Sequence, residues 1–195
     1  MNEGGVVIER VTKETEIRVR LDPWGTGAPR ISTGLGFYDH MWTALAHHGG
    51  LELEIDAKGD LHVDDHHTVE DVALAVGAAF EKALGERKGI VRFGHAYVPM
   101  DETLARAAVD LVARPYAVVK LGFYMERLGQ VATECLSHAL QSLAFSGRFT
   151  LHVETLYGDN DHHKSEAAFK AVGRALRMAL EKTGRDEAPS TKGSM

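Results

Sequence analysis

The sequence predicts an α+β protein made by tandem duplication of one small α/β unit, and three observations carry that prediction. Stretches that alternate polar and apolar residues are interleaved with stretches whose apolar residues recur at helical spacing. The order strand, strand, helix, strand, helix occurs twice. The two passes also carry the same chemistry: Asp65-His66-His67-Thr68-Val69-Glu70 aligns with Asp161-His162-His163-Lys164-Ser165-Glu166, an offset of 96 residues from His66 to His162. Self-similarity at a fixed offset marks repeated structural units.

In the first pass, Ile17, Val19 and Leu21 alternate with Glu16, Arg18 and Arg20, the pattern of a half-buried strand. Gly25 and Gly27 mark a turn. Phe37, Met41, Leu45 and His48 have helical spacing, and Gly49-Gly50 ends that helix. Leu51, Leu53 and Ile55 alternate with Glu52, Glu54 and Asp56 as a second strand. Val69, Val72, Val76, Phe80 and Ala83 trace the apolar stripe of a helix that starts near His66 and closes at Gly85. The second pass has a weaker alternation over Thr103–Leu111 and a short strand at Ala117–Leu121. A helix over Ala132–Ala144, a strand over Phe149–Tyr157 and a helix over His162–Leu180 follow. The expected units are residues 1–90 and 91–184, with a C-terminal tail over 185–195 that carries Pro189, Ser190 and Gly193.

Composition sets the outer limits. The chain has 195 residues, 44% apolar and 26% charged, as a soluble globular protein does. A net charge of −6 argues against a general nucleic-acid binder or an anionic-membrane binder. The longest apolar or small run, Val72–Phe80, is far too short to span a bilayer. No basic stretch followed by an apolar one opens the sequence, so a cytoplasmic protein is expected. The single Cys135 excludes an internal disulfide framework and reads as a small packed residue.

Histidine is the unusual component, with 11 residues. His40–Ala46 aligns with His138–Ala144 at an offset of 98, so each pass presents one histidine on its first helix and His-His-x-x-Glu at the start of its second. The change of offset belongs in the loop before the second helix. At about 100° per residue, His66 and His67 diverge too far to serve one ion comfortably, and Glu70 falls between them. Six histidines and two glutamates could therefore hold two ions with four ligands each, leaving positions open for substrate. One His-His pair at a helix start also suits a solvated end; two in register with a matched third histidine point to metal. An imidazole-rich set suits zinc, iron or nickel. His62 and His152, in strand-like stretches, and His95, read as a loop residue after Gly94, have no matched partner.

Gly36-Phe37-Tyr38-Asp39-His40-Met41, Ala46-His47-His48-Gly49, Asp64-Asp65-His66-His67-Thr68-Val69-Glu70-Asp71, Arg92-Phe93-Gly94, Met100-Asp101-Glu102, Arg114-Pro115-Tyr116, His162-His163 with Glu166 and Lys170, and Ser190-Thr191-Lys192-Gly193 run in order along nearly the whole chain. Together they resemble the imidazoleglycerol-phosphate dehydratase family. The resemblance implies a duplicated unit of the ribosomal protein S5 domain 2 type, each half a mixed four-stranded sheet packed on two helices. It also implies a 24-subunit shell with two Mn2+ per subunit, and dehydration of imidazole glycerol phosphate to imidazole acetol phosphate in histidine biosynthesis. The metal ligands it implies are His40, His66, His67, Glu70, His138, His162, His163 and Glu166, the set that the repeat selects. It places the substrate phosphate on Arg92, Arg114, Lys170 and the tail residues Ser190, Thr191 and Lys192, and lines the substrate with His47 and His48. It makes Glu14 the proton-transferring carboxylate, with Glu70 and Glu166 beside it in the catalytic set. Val112-Ala113 stand where the family commonly has Ser-Gly, and the end Gly193-Ser194-Met195 departs from its apolar finish.

The chemistry explains a need for two metals. No carbonyl acidifies the proton that must leave, but an imidazolate held between two cations could expel hydroxide through a diazafulvene-like species. A carboxylate would then move the protons. A dinuclear hydrolase could use the same ligands, and a metal-buffering or structural shell protein could hold metal without turnover. The phosphate-binding candidates Arg92, Arg114 and Lys170 favour an enzyme of phosphorylated substrates.

Overall fold

Alternating residues do what their pattern requires in both passes of the repeat, and the two sheets that result have one topology. A computed structural model describes residues 5–185 and residue 187. The first pass contains β1 (Val6–Val11), β2 (Thr15–Asp22), β3 (Arg30–Ser32), α1 (Gly36–Gly49), β4 (Glu52–Gly59) and α2 (His66–Leu84). The second contains β5 (Phe93–Met100), β6 (Thr103–Asp110), β7 (Tyr116–Lys120), a small ribbon β8 (Arg127–Leu128) and β9 (Val131–Ala132), α3 (Thr133–Ser146), β10 (Thr150–Tyr157) and α4 (Asp161–Ala179). The sheet orders are β1-β2-β4-β3 and β5-β6-β10-β7. In each, two antiparallel pairings are followed by one parallel pairing at the edge.

Each four-stranded sheet takes three strands from before the first helix of its pass; the alternation names only β2 of these in the first pass, and β6 and β7 in the second. Edge strands β1 and β3 are missed because they bury little: β3 has no fully buried residue, and in β1 only Val6 is. The segment after Gly94 is β5, so His95 lies on a strand rather than in a loop, whereas His62 lies in a turn. In β6 the inward residues are Thr103, Ala105, Ala107 and Val109, mostly small, which is why its alternation is faint in the sequence.

The helices lie between the sheets. α2 covers β1, β2 and β4, while α4 covers β5, β6 and β10. Across the middle, α1 packs on α4 and α2 on α3, so each helix pair joins one pass of the repeat to the other. One apolar core results, running from Ile17, Val19 and Leu21 through Trp42, Phe80 and Phe169 to Leu151 and Val153. Each fully buried large aliphatic side chain contributes about 1.5–3 kcal/mol.

Two equivalent glycines let the helix pairs approach closely. A Cβ on Gly173 of α4 would stand 2.3 Å from the Leu45 carbonyl of α1, and one on Gly77 of α2 would stand 2.7 Å from the Leu143 carbonyl of α3. Those crossings bring the histidines of α1 and α3 to the helices of the opposite pass. Among the described residues, no helix is long and apolar enough to cross a membrane.

Candidate metal centres

The His-His-x-x-Glu segments open α2 and α4, where unpaired helix N–H groups need acceptors. The Asn160 side chain accepts from the N–H groups of His162 and His163, and the Asp64 carboxylate accepts from that of His66. With the helix ends fixed, His and Glu four residues apart share a face: His162 with Glu166, and His66 with Glu70.

The repeat then crosses over. His40 of α1 places its Nε2 3.1 Å from Glu166 Oε2, and His162 Nε2 lies 3.2 Å from the same oxygen. His138 of α3 places its Nε2 3.1 Å from Glu70 Oε1, and His66 Nε2 lies 3.7 Å from Glu70 Oε2. In each triad the ligand atoms all lie within 4.8 Å of one another, close enough for a single cation to gather them. Two imidazoles and one carboxylate are a donor set that divalent first-row metals accept.

The other two expected ligands turn away. His67 Nδ1 is 3.1 Å from Asp60 and 3.9 Å from Glu14; His163 Nδ1 is 2.7 Å from Glu102. In one chain the eight residues thus form two sets of three, with His67 and His163 outside both. The paired carboxylates raise the affinity of both imidazoles for protons, Asp60 acting on His67 and Glu102 on His163. The hydrogen bond from His163 in turn holds the Glu102 carboxyl well below the usual carboxylate range.

The triads have unlike surroundings. Glu166 is buried, and Lys170 Nζ stands 2.6 Å from its Oε1. Burial raises the Glu166 carboxyl, but the Lys170 ammonium and His40 overcome it and bring it to about 2. Leu74 stands at the equivalent position of α2. Phe37 packs edge-on against His162, with ring centroids 5.2 Å apart, whereas Cys135 takes the equivalent place beside His66 at 3.8 Å. Burial pushes the Cys135 thiol up to about 12, so it stays protonated. His47 is exposed on the last turn of α1; His48 is half-buried, and burial followed by Lys170 lowers its affinity for protons.

Several supporting residues have no periodic signal in the sequence. Buried Asp65 accepts from the Ala132 N–H and Arg127, and its counterpart Asp161 accepts from the N–H groups of Tyr124 and Met125 and from Lys164. These aspartates fasten the start of each His-His helix to the segment leading into α3. Asp71 accepts from Arg10 and Thr15, which fixes the β1–β2 hairpin that carries Glu14. The doubled Asp-His-His spelling could have marked Asp65 and Asp161.

The structure does not gather the expected phosphate cations around the triads. The Arg92 N–H donates to the Ala179 carbonyl at the end of α4, seventeen positions and about 26 Å along the helix from His162. Its guanidinium grips both oxygens of Asp110 at 2.7 and 3.1 Å. Exposed Arg114 adjoins Ala113, whose carbonyl accepts from Arg148, and Arg148 pairs with Glu81 near the end of α2. Among the described phosphate candidates, Lys170 alone stands at a triad. Ser190, Thr191 and Lys192 lie outside the described residues.

A family model described as imidazoleglycerol-phosphate dehydratase matches residues 33–176. An imidazoleglycerol-phosphate dehydratase of Candida glabrata is 50% identical over 204 residues, covering 95% of this chain and 97% of that protein. One of Chloroflexus aurantiacus is 53% identical over 188 residues, covering 95% and 92%. Among solved structures, the imidazoleglycerol-phosphate dehydratase of Pyrococcus furiosus, in complex with (S)-C348, superposes with a TM-score of 0.83 at 37% identity, covering 96% of this chain and all of that one. The Staphylococcus aureus structure gives 0.81 at 35%, covering 91% and 99%.

Proposed function

The chain belongs to the imidazoleglycerol-phosphate dehydratase family, and from that premise we propose that its reaction runs at a site completed between copies of the chain, around two metal ions held by the two triads. Membership makes it a hydro-lyase of histidine biosynthesis. One observation carries the shared-site reading: Arg92 and Arg114 stand at the far ends of the helices whose beginnings bear the ligands. A small phosphorylated substrate cannot reach from one end to the other.

His40, His162 and Glu166 would hold one ion, and His66, His138 and Glu70 the other. His67 and His163 would complete the ion sites of neighbouring copies. His163 lines an open concavity with Tyr124 and Met125, which are 77% and 58% exposed, a surface suited to burial against another copy. This reading agrees with the 24-subunit shell and the two Mn2+ per subunit that the family resemblance implies, in the cytoplasm where histidine is made.

Two bound divalent ions would supply the positive charge that favours loss of the substrate's ring proton near neutral pH. The remaining work falls to side chains. Glu14, on a hairpin fixed by Thr12, Thr15 and Asp71, takes the proton from the carbon next to the one losing hydroxide. It then delivers a proton to the carbon that lost hydroxide, as the resulting enol gives up its O–H proton and becomes the ketone. Arg114 and Arg92, the latter oriented by Asp110, bind phosphate across the interface with Lys170 and the tail residues Ser190, Thr191 and Lys192. His48, neutral and partly desolvated, and His47 line the substrate. The test is direct: purified protein with Mn2+ converts imidazole glycerol phosphate to imidazole acetol phosphate, and no product from metal-loaded protein overturns the reading.

A further inference from the structure

Glu14 and Glu102 occupy the same place in the repeat. Each immediately precedes an eight-residue second strand, β2 or β6, and each sits in the hairpin turn beside the second histidine of its own His-His pair. Their contacts differ. Glu102 Oε2 lies 2.7 Å from His163 Nδ1, while its Oε1 accepts from the N–H groups of Asp159 and Asn160 and from the Thr103 hydroxyl. Both oxygens are therefore committed, and the carboxylate cannot swing away. Glu14 Oε2 stops 3.9 Å from His67 Nδ1, and Asp60 takes the hydrogen bond instead, at 3.1 and 3.2 Å. Asp60 belongs to the longer link between β4 and α2, six residues against the three, Gly158 to Asn160, between β10 and α4. The change of repeat offset from 98 to 96 falls in that link.

We propose that Asp60 and Glu102 are the positioning carboxylates of His67 and His163, and that the insertion carrying Asp60 released Glu14 from the task its counterpart Glu102 still performs. Accepting from Nδ1–H fixes the ring tautomer and leaves Nε2 as the ligand atom. One ancestral hairpin carboxylate thus has two descendants: Glu102 holds a ligand still, and Glu14 is left to move a proton. This rests on the reading of His67 and His163 as ligands given above.

The test separates the two ideas. Mn2+ is titrated into chelator-stripped protein and the free ion is followed by electron paramagnetic resonance. Asp60→Ala and Glu102→Ala should each weaken one class of site about 10- to 100-fold. Glu102→Gln, which keeps one of the two accepting oxygens, should lose less affinity than Glu102→Ala, while Glu14→Gln binds Mn2+ as the unsubstituted chain does. Unchanged affinity in folded Glu102→Ala, judged by circular dichroism, overturns the proposal. So does a loss in Glu14→Gln equal to that in Glu102→Ala. If His67→Ala and His163→Ala also bind normally, the ligand reading itself falls; if they bind poorly while Asp60→Ala and Glu102→Ala do not, only the positioning role does.

Discussion

His40, in the first pass of the repeat, stands 3.1 Å from Glu166, in the second, and His138 stands at the same distance from Glu70 in the reverse sense. Each candidate ion site is therefore built from both halves. Since metal supplies several kcal/mol of charge stabilisation and each 1.36 kcal/mol is tenfold in rate, His40→Ala and His138→Ala should each lower turnover by at least about 100-fold. Metal analysis should find each variant short of one ion rather than both.

In the proposed reaction Glu14 bears on chemistry alone. Glu14→Gln should lower kcat by about 10²- to 10⁴-fold, with KM and bound metal near those of the unsubstituted chain. Steady-state kinetics beside metal analysis checks this; near-normal kcat removes Glu14 from the mechanism.

The helix crossing that brings His40 to Glu166 depends on Gly173. A Cβ there would meet the Leu45 carbonyl at 2.3 Å, and backbone cannot step aside as a flexible side chain can. Gly173→Ala should destabilise the chain by about 1–3 kcal/mol through overpacking and weaken metal binding at the His40 triad more than at the His138 triad. Urea unfolding and metal titration read the two effects separately.

Acid should attack the fastening at Asp161. Burial raises its carboxyl, but the N–H groups of Met125 and Tyr124 and the Lys164 ammonium outweigh burial and leave it below its ordinary value. A carboxyl depressed in the folded chain stabilises above its unfolded value, about 3.9, and that contribution is lost as pH falls through the folded value. Asp161→Asn should therefore be less stable than the unsubstituted chain at pH 7, and the deficit should shrink at pH 3. Urea midpoints of metal-free protein at the two pH values measure it.

Periodicity made the buried elements legible: Ile17, Val19 and Leu21 all face the core, and α2 and α4 begin where the doubled motif places them. The repeat also selected the six side chains that the fold gathers into triads. Edge strands escaped, because half-exposed β1 and β3 lack a full apolar face. Asp60 and Glu102 escaped for another reason. They act from loops and turns, where no spacing rule applies and only the folded backbone shows which imidazole each meets. The separation of Arg92 and Arg114 from the triads was invisible too, since it depends on helix length and direction.

That separation yields the most direct test. His40→Ala and Arg114→Ala chains, each inactive alone, are mixed, dissociated by metal removal and reassembled with Mn2+. If the site is completed between copies, some sites draw intact triads from one chain and an intact arginine from the other, and about one quarter of full activity returns to a random equal mixture. Activity no higher than the variants show separately, in assemblies proven to be mixed, would place the whole site within one chain and contradict the account.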